Sequence, residues 1–143
     1  MSARTFEAVT LVRGAASGAV LRLDEPLSFW GGLDSETGAI IDRLHPQRGA
    51  CVAGRILMMP TGRGSSSGSA TLAEALRLGK GPAAILMLER DAIVVVGAMV
   101  AAELYGLACP VVLAEARAWE ALAAAASLTL EAGPNGAAIS ADL

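Results

Sequence analysis

VAGRILMMPTGRGSSSGSATLAEALRLG, residues 52–79, decides the fold that the sequence predicts. Residues 52–59 are mostly apolar and end at Pro60, which is typical of a buried strand because proline lacks the N–H that a strand ladder needs. A polar, glycine-rich turn follows. Residues 70–78 then have the apolar spacing of an amphipathic helix, and Gly79 is suited to end it. The segment therefore predicts a strand–loop–helix unit.

The flanking sequence extends this unit into one α/β domain. Apolar stretches without alternation are typical of strands covered on both faces, and Asp91 stands where it can cap a helix that reaches Leu104. Nothing beyond Gly133 suggests an element, so the domain of residues 1–143 is expected to have a core at about 8–131 and an unassigned tail. The other expected strands are residues 8–13, 19–23, 84–88, 111–113 and 127–131, and the last expected helix is residues 114–126.

Residues 24–50 contain several turn formers and no helical period, which predicts an ordered loop. A loop of this length with two large aromatic residues is usually functional or packed against another surface. Phe29 and Trp30 are expected to pack beneath the loop or at an interface, where aromatic residues are enriched. His45, the chain's single histidine, has no visible carboxylate partner and is left as a proton carrier or an interface hydrogen bonder.

Composition excludes several classes of function. The chain is 54% hydrophobic and 17% charged, which favours a folded domain. A net charge of −3 and 3% aromatic residues argue against nucleic-acid binding. The longest apolar run, residues 92–102, is about half the roughly 20 residues that span a bilayer. With no secretory pattern either, a cytoplasmic location without membrane contact is expected. The mean hydropathy of +0.53 suggests that a partner covers some apolar surface.

The two cysteines, Cys51 and Cys109, form no C-x-x-C pair and no cluster of metal ligands. Both are expected to be buried free thiols. The sequence therefore predicts that this chain by itself holds no metal or cofactor.

The segment GRGSSSGS, residues 62–69, carries the chemistry. Between a strand and a helix, backbone N–H groups are unpaired and the helix dipole is positive, so a carboxylate or phosphate is favoured there. The glycines allow close approach of the backbone to a ligand. The hydroxyls available in this turn are those of Ser65, Ser66, Ser67 and Ser69.

Several interpretations of this loop compete. A Walker-type phosphate loop needs a lysine after Gly68, and none is present. In a dinucleotide fingerprint the third glycine would come one residue earlier. A serine nucleophile needs a nearby histidine as its general base, and His45 is the only histidine in the sequence. A serine-rich helix cap without catalysis is the structural alternative. The motif indicates an anion site and does not by itself define a reaction.

The stretch EPLSFWGGLDSETGAIIDRLHPQRG, residues 25–49, followed by a strand, Pro60 and GRGSSSGS, resembles the small-subunit family of aconitase X. The resemblance covers roughly residues 14–114. It implies a single swivelling β/β/α domain of the aconitase type. More distantly, the strand–GxGSS–helix pattern is similar to the swivel domain of aconitases and isopropylmalate isomerases, where a GxGSSR loop approaches the iron–sulfur site.

Carried over residue by residue, the resemblance implies that Ser65 is the catalytic base. Ser67 stands where the swivel-domain arginine is found, so one carboxylate clamp is missing and a tricarboxylic substrate is put in doubt. Asp34 resembles an acidic loop position that orients substrate or meets the partner, although a turn-forming aspartate is the alternative. The expected substrate-binding positions are Gly64, Ser66, Ser67 and Asp34. Arg63 is added to them because it could bring positive charge near the carboxylate, with a solvated arginine as the alternative.

The resemblance also implies a hydro-lyase that acts only with a large subunit, as a heterodimer or higher assembly. That partner would hold an iron–sulfur cluster whose iron draws off the substrate hydroxyl as a Lewis acid. The implied substrate is a small hydroxy acid: cis-3-hydroxy-L-proline, favoured slightly by an alanine-rich, lysine-poor composition, or mevalonate 5-phosphate. From other classes, a stand-alone module that binds a small anion and a purely structural subunit remain open.

Overall fold

The computed structural model of the chain describes residues 3–142. Strands and helices alternate through most of this range, and strands lie at both ends of the described residues. The strands are β1 (Ala3–Val12), β2 (Gly14–Arg22), β3 (Ile56–Met58), β4 (Ala84–Met87), β5 (Val111–Ala114), β6 (Ser127–Gly133) and β7 (Gly136–Asp142). The helices are α1 (Phe29–Gly32), α2 (Gly68–Arg77), α3 (Ala92–Tyr105) and α4 (Trp119–Ala124), the last preceded by a 3-10 turn at Ala116–Ala118.

The strands close into a barrel in the order β1-β5-β4-β3-β2-β6-β7. Strands β2, β3, β4 and β5 run parallel to one another, and the remaining pairings are antiparallel. The expected α/β class is confirmed. The structure adds to the expected β/β/α arrangement that the strands form a closed barrel with helices packed against it, because β7 pairs with both β1 and β6.

Successive side chains on the parallel strands point to opposite faces of the sheet, and the core is therefore divided into two clusters. On β3, Ile56 and Met58 belong to the cluster that fills the barrel and packs with α4. Leu57 belongs to a second cluster, formed with α2, α3 and the long loop outside the barrel. Both faces of the strand are therefore buried, which explains why its sequence is apolar without alternation. On β6, by contrast, buried and exposed residues alternate.

The C-terminal segment corrects the sequence prediction. Residues 132–143 were expected to lack organisation, yet β7 pairs with β1 from Ala3–Asp142 to Ala8–Ala137 and with β6 from Gly136 to Ala141. Ala137, Ile139 and Ala141 point into the barrel core. The sequence did not predict this strand because alanine and glycine have low strand propensity. Their small side chains also give little difference in hydrophobicity between the two faces of the strand.

Other boundaries also shift. Residues 14–18, which separate the expected strands at 8–13 and 19–23, are part of β2, and β2 pairs with β6 from Gly14 to Ala19. The strand expected at residues 52–59 is reduced to β3, and the helix expected at 114–126 is reduced to the 3-10 turn and α4. Alanine favours helix in general, but here the chain must turn sharply between β5 and β6.

Residues 24–50 form the ordered loop that the sequence predicts, with α1 as a single distorted turn. Two isolated bridges, Leu33 to Ile40 and Ala39 to Cys51, fix its course. Phe29 is buried in the core outside the barrel, as expected. Trp30 is 58% exposed, so it does not pack beneath the loop.

Helix α3 begins where the sequence predicts. The Asp91 Oδ1 atom accepts hydrogen bonds from the backbone N–H groups of Ile93 (2.8 Å) and Val94 (3.2 Å). Replacing Asp91 with alanine is expected to lower the free energy of unfolding by about 1 kcal/mol, the usual cost of losing an N-cap. Asparagine retains the acceptor and is expected to lose less. Denaturant unfolding of the two variants measures this, and equal losses would contradict the capping role.

Candidate active-site loop

The serine loop, defined as residues 62–67, joins the carboxyl end of β3 to the first turn of α2. Gly62 is buried, and residues 63–67 are all exposed. The loop is therefore held at its base and presents its serine side chains to the outside. Helix α2 has ten residues, so the first-turn N–H groups lie at a full-length helix terminus with positive partial charge.

The four serine hydroxyls have different surroundings. Ser65 Oγ accepts a hydrogen bond from the N–H of Ser67 at 3.1 Å. Ser69 Oγ donates to the carbonyl of Ile93 at 2.7 Å and so ties α2 to α3. The hydroxyls of Ser66 and Ser67 make no hydrogen bond within residues 3–142, and Ser67, at the N-cap position, does not cap with its side chain. Ser69 is therefore structural, and the other three face outward.

This arrangement suits anion binding and proton transfer. A backbone N–H donating to Ser65 Oγ favours the charged form of that oxygen, as does the positive end of α2. The hydroxyl proton of Ser65 is left available. Ser66 and Ser67 add hydroxyl donors on the same turn. The same hydrogen bond also forms a local serine turn just before α2, so the geometry is compatible with a structural role as well.

Arg63 points back to the long loop. Its guanidinium lies 3.6 Å from the carboxylate of Glu25 and 3.7 Å from that of Asp42. All three side chains are partly exposed, and such ion pairs contribute little, about 0–1 kcal/mol. The charge that Arg63 was expected to bring to the substrate is shared with two carboxylates of this chain.

Asp34 forms a turn within the long loop. Its Oδ1 accepts the N–H of Glu36 at 2.9 Å, and its carbonyl accepts from Thr37 and Gly38. These hydrogen bonds match the turn-forming alternative. They leave the expected role of Asp34 toward substrate or partner a prediction.

His45 is buried, and both of its ring nitrogens are in use. Nδ1 accepts the N–H of Gln47 at 3.0 Å, so Nε2 carries the proton and donates to the carbonyl of Glu25 at 3.1 Å. Gln47 in turn bonds to the backbone of Asp24 and Arg22. His45 therefore holds the start of the long loop in place, and both of its ring nitrogens are occupied by backbone groups.

Ser28 is a neighbour of the serine loop that the sequence analysis missed. A Cβ atom at position 64 would overlap Ser28 Oγ and lie 2.7 Å from Ser28 Cβ, so the Gly64 backbone passes directly over this side chain. Ser28 Oγ donates to the carbonyl of Trp30 at 3.0 Å. The signal was present in the sequence only as a serine within the long-loop motif.

The serine loop lies on open surface. Four cavities of about 280 to 700 Å³ are lined by residues of β1, β5, β6, β7 and their connections, or by the start of α3. None of these four includes a residue of the serine loop. A reaction that needs a dry site would require a second surface to cover the loop.

The cysteines of this chain do not fit a cluster site. Cys109 is buried, and its burial raises the pKa of the thiol to about 12, so the thiolate that binds iron is disfavoured. Cys51 is exposed, which corrects the expectation of two buried thiols; it lies in the irregular segment before β3. Within residues 3–142 no group of three or more His, Cys, Asp or Glu residues is placed to hold a metal ion.

The two thiols are expected to react at different rates with a thiol reagent. At pH 8 the native chain should label rapidly at Cys51 only, because Cys109 is inaccessible and its pKa is high. Denaturant should release the second thiol. Colorimetric titration of the wild type and of Cys51→Ser measures this, and rapid labelling of native Cys51→Ser would contradict the burial of Cys109.

Comparison with known proteins identifies the family. Residues 5–139 match the family model described as the aconitase X swivel domain. The chain belongs to this family. The swivel fold that the resemblance implied is therefore confirmed, and the barrel described above is the form it takes in this chain.

Named relatives fall into two groups. The chain is 49% identical over 102 residues, 71% of its length, to a cis-3-hydroxy-L-proline dehydratase of Pseudomonas aeruginosa, and 40% identical over 128 residues, 90% of its length, to one of Hypocrea jecorina. It spans only 18% and 22% of those two proteins. It is also 42% identical to the phosphomevalonate dehydratase small subunit of Methanothermobacter thermautotrophicus. That match extends over 89 residues, which are 62% of this chain and 68% of the relative.

Solved structures agree with the fold. A chain in the crystal structure of Thermococcus kodakaraensis aconitase X in its holo-form superposes with a TM-score of 0.80 at 28% identity, covering 98% of this chain and 99% of that one. The solution NMR structure of a UPF0107 protein superposes with a TM-score of 0.82 at 31% identity, covering 98% and 100%. In residues 3–142 of this protein, no helix combines the length and the apolar character needed to cross a membrane.

Proposed function

We propose that this domain is the swivel component of an aconitase X hydro-lyase, and that it supplies the serine loop to an active site shared with a larger component. The observation that carries the proposal is the serine loop itself: exposed hydroxyls at the positive end of α2, on open surface, in a family whose named relatives are dehydratases. The larger component is a separate subunit or the remainder of a longer chain.

Apolar side chains beside the serine loop support a covering partner. Trp30 is 58% exposed, Ile41 47% and Leu44 88%. The Trp30 backbone adjoins Gly68 at the start of α2, and Ile41 precedes Asp42, which pairs with Arg63. Large apolar groups next to polar active-site residues are typical of an interface. In this proposal the larger component packs on Trp30, Ile41 and Leu44, where it would enclose the serine loop and exclude water.

Ser65 acts as a base in its ionised form, after its exposed hydroxyl has given its own proton to solvent before the site is enclosed. Its Oγ then takes the proton from the substrate carbon adjacent to the carboxylate. The hydroxyl is a poor base in water, so the step depends on the Ser67 N–H, on the positive end of α2 and on removal of solvent. Ser66, Ser67 and the backbone N–H groups of the loop hold the substrate carboxylate. The electron pair of the broken C–H bond forms the new C=C bond, and the β-hydroxyl leaves as hydroxide, which the larger component would have to accept.

The iron–sulfur cluster that the family resemblance implies belongs, in this proposal, to the larger component. The buried Cys109 thiol and the isolated Cys51 do not form a ligand set for it. The part played by this chain is binding, orientation and proton transfer by the serine loop.

We favour cis-3-hydroxy-L-proline as the substrate because the dehydratases named for it share 49% and 40% identity with the chain over 71% and 90% of its length. Mevalonate 5-phosphate is the second candidate. The relatives named for phosphomevalonate reach 42% identity, and an exposed helix N-terminus with free hydroxyls also accepts a phosphate group.

The test is an anaerobic dehydration assay of this chain assembled with the larger component from the same source. We expect turnover of cis-3-hydroxy-L-proline by the assembly and by neither component alone. Turnover of mevalonate 5-phosphate instead would keep the subunit role and replace the substrate. An assembled, cluster-loaded enzyme inactive on both would reject the proposed substrates. Activity of the larger component alone would reject the shared site.

A further inference from the structure

We propose that Ser28 is a positioning residue that sets the location of Ser65 through its contact with Gly64, an inference that rests on the proposed function of the serine loop. Ser28 lies between two deeply buried residues, Leu27 and Phe29, so its backbone is anchored in the core. Its hydroxyl is held by a 3.0 Å hydrogen bond to the carbonyl of Trp30. The side chain is thus a fixed support on the surface of the long loop.

The segment from Gly64 to Gly68 contacts residues 28–30 at both of its ends. At one end Gly64 packs on the Ser28 side chain, leaving no room for a Cβ atom. At the other end a Cβ on Gly68 would lie 3.6 Å from the Trp30 nitrogen and 3.7 Å from Phe29 Cβ. Ser65, Ser66 and Ser67 lie between these two glycines. Residues 28–30 therefore form one platform under the segment that carries the reactive hydroxyl.

Gly64 is the sensitive contact. Its φ of +96° is a left-handed conformation that side-chain-bearing residues rarely adopt. Any side chain there meets both this strain and the Ser28 side chain. Gly64→Ala would raise the loop away from the platform and move Ser65, and misplacement by about 1 Å is enough to lower a rate by about 10²-fold.

Gly49 provides a matched control. Its φ of +93° is nearly that of Gly64, but a Cβ there meets nothing within 4 Å. Gly49→Ala carries the backbone strain alone. Ser28→Gly in the Gly64→Ala background removes the overlapping Oγ and Cβ atoms and leaves Ser28 Cα as the nearest atom at 3.7 Å, an ordinary contact. The three variants separate strain from the collision with Ser28.

The experiment measures kcat and KM of the assembled enzyme for these variants. We expect Gly64→Ala to lower kcat by about 10²-fold with a smaller change in KM, and Gly49→Ala to keep kcat within about threefold of wild type. The kcat of the double variant should be at least about tenfold higher than that of Gly64→Ala. Ser28→Ala, which leaves Gly64 unstrained, should lower kcat about tenfold with a near-normal melting temperature. A double variant no better than Gly64→Ala, or a Gly49→Ala loss as large, overturns the proposal.

A second readout does not depend on catalysis. In ¹⁵N-resolved NMR spectra of this chain, Gly64→Ala should shift the amide signals of Ser65, Ser66 and Ser67, and Ser28→Gly should return them toward the wild-type positions. An inactive wild-type assembly with this pattern of shifts rejects the proposed function and leaves the positioning contact intact. Shifts that Ser28→Gly does not reverse reject the positioning role, whatever the activity.

Discussion

Ser65→Ala is expected to lower kcat of the assembled dehydratase by about 10²-fold or more, the scale of losing a general base. The variant removes the only serine oxygen of the loop that accepts a backbone N–H within the loop, which is the feature that favours its charged form. Substrate binding is expected to change less, because Ser66 and the backbone N–H groups remain. Steady-state kinetics of wild type and variant under anaerobic conditions measures the effect.

Ser69→Ala is the matched control. It deletes the same hydroxyl four residues later, where the group donates to the Ile93 carbonyl and takes no part in the proposed chemistry. It should cost about 1 kcal/mol of stability and leave kcat nearly unchanged. Assembly of both variants is checked by size-exclusion chromatography. If assembled Ser65→Ala retained normal kcat, Ser65 would only shape the turn before α2, and catalysis would lie wholly on the larger component.

The strand–loop–helix unit around the serine loop was predictable because its signals are local. Pro60 limits the strand, glycines mark the turn, and the apolar spacing that follows defines α2. The Asp91 cap belongs to the same class, since a capping side chain acts within three residues of itself. Such features need no knowledge of where distant segments lie.

What the sequence did not reveal depends on contacts between distant segments. The platform at Ser28 exists only because residues 36 positions away fold over it, and no local pattern records that approach. The exposure of Cys51 and the ion pairs of Arg63 likewise follow from the path of the long loop. Barrel closure is the largest case, because β7 is alanine-rich and its partner β1 lies at the opposite end of the chain.

Because β7 closes the barrel, substitution of Ile139, the large apolar residue of this strand, is expected to have a large effect on stability. Its side chain is fully buried in the barrel among residues of β6 and α4. Ile139→Asn removes that buried side chain and places an amide where no water reaches it. The two costs, about 2–5 kcal/mol for the lost packing and about 1–3 kcal/mol for an unsatisfied polar group, together approach the whole stability of a small domain. We expect the variant to be largely unfolded at 37 °C.

Ala138→Asn is the control for Ile139→Asn, because it places the same side chain one residue earlier on the exposed face of β7. It should change the free energy of unfolding by no more than about 0.5 kcal/mol, as surface substitutions usually do. Circular dichroism melts of both variants give the comparison. Equal melting temperatures would mean that the C-terminal segment does not close the barrel. A large difference would establish that residues 132–142 belong to the core on which the serine loop is mounted, so that C-terminal truncation would abolish activity through the fold.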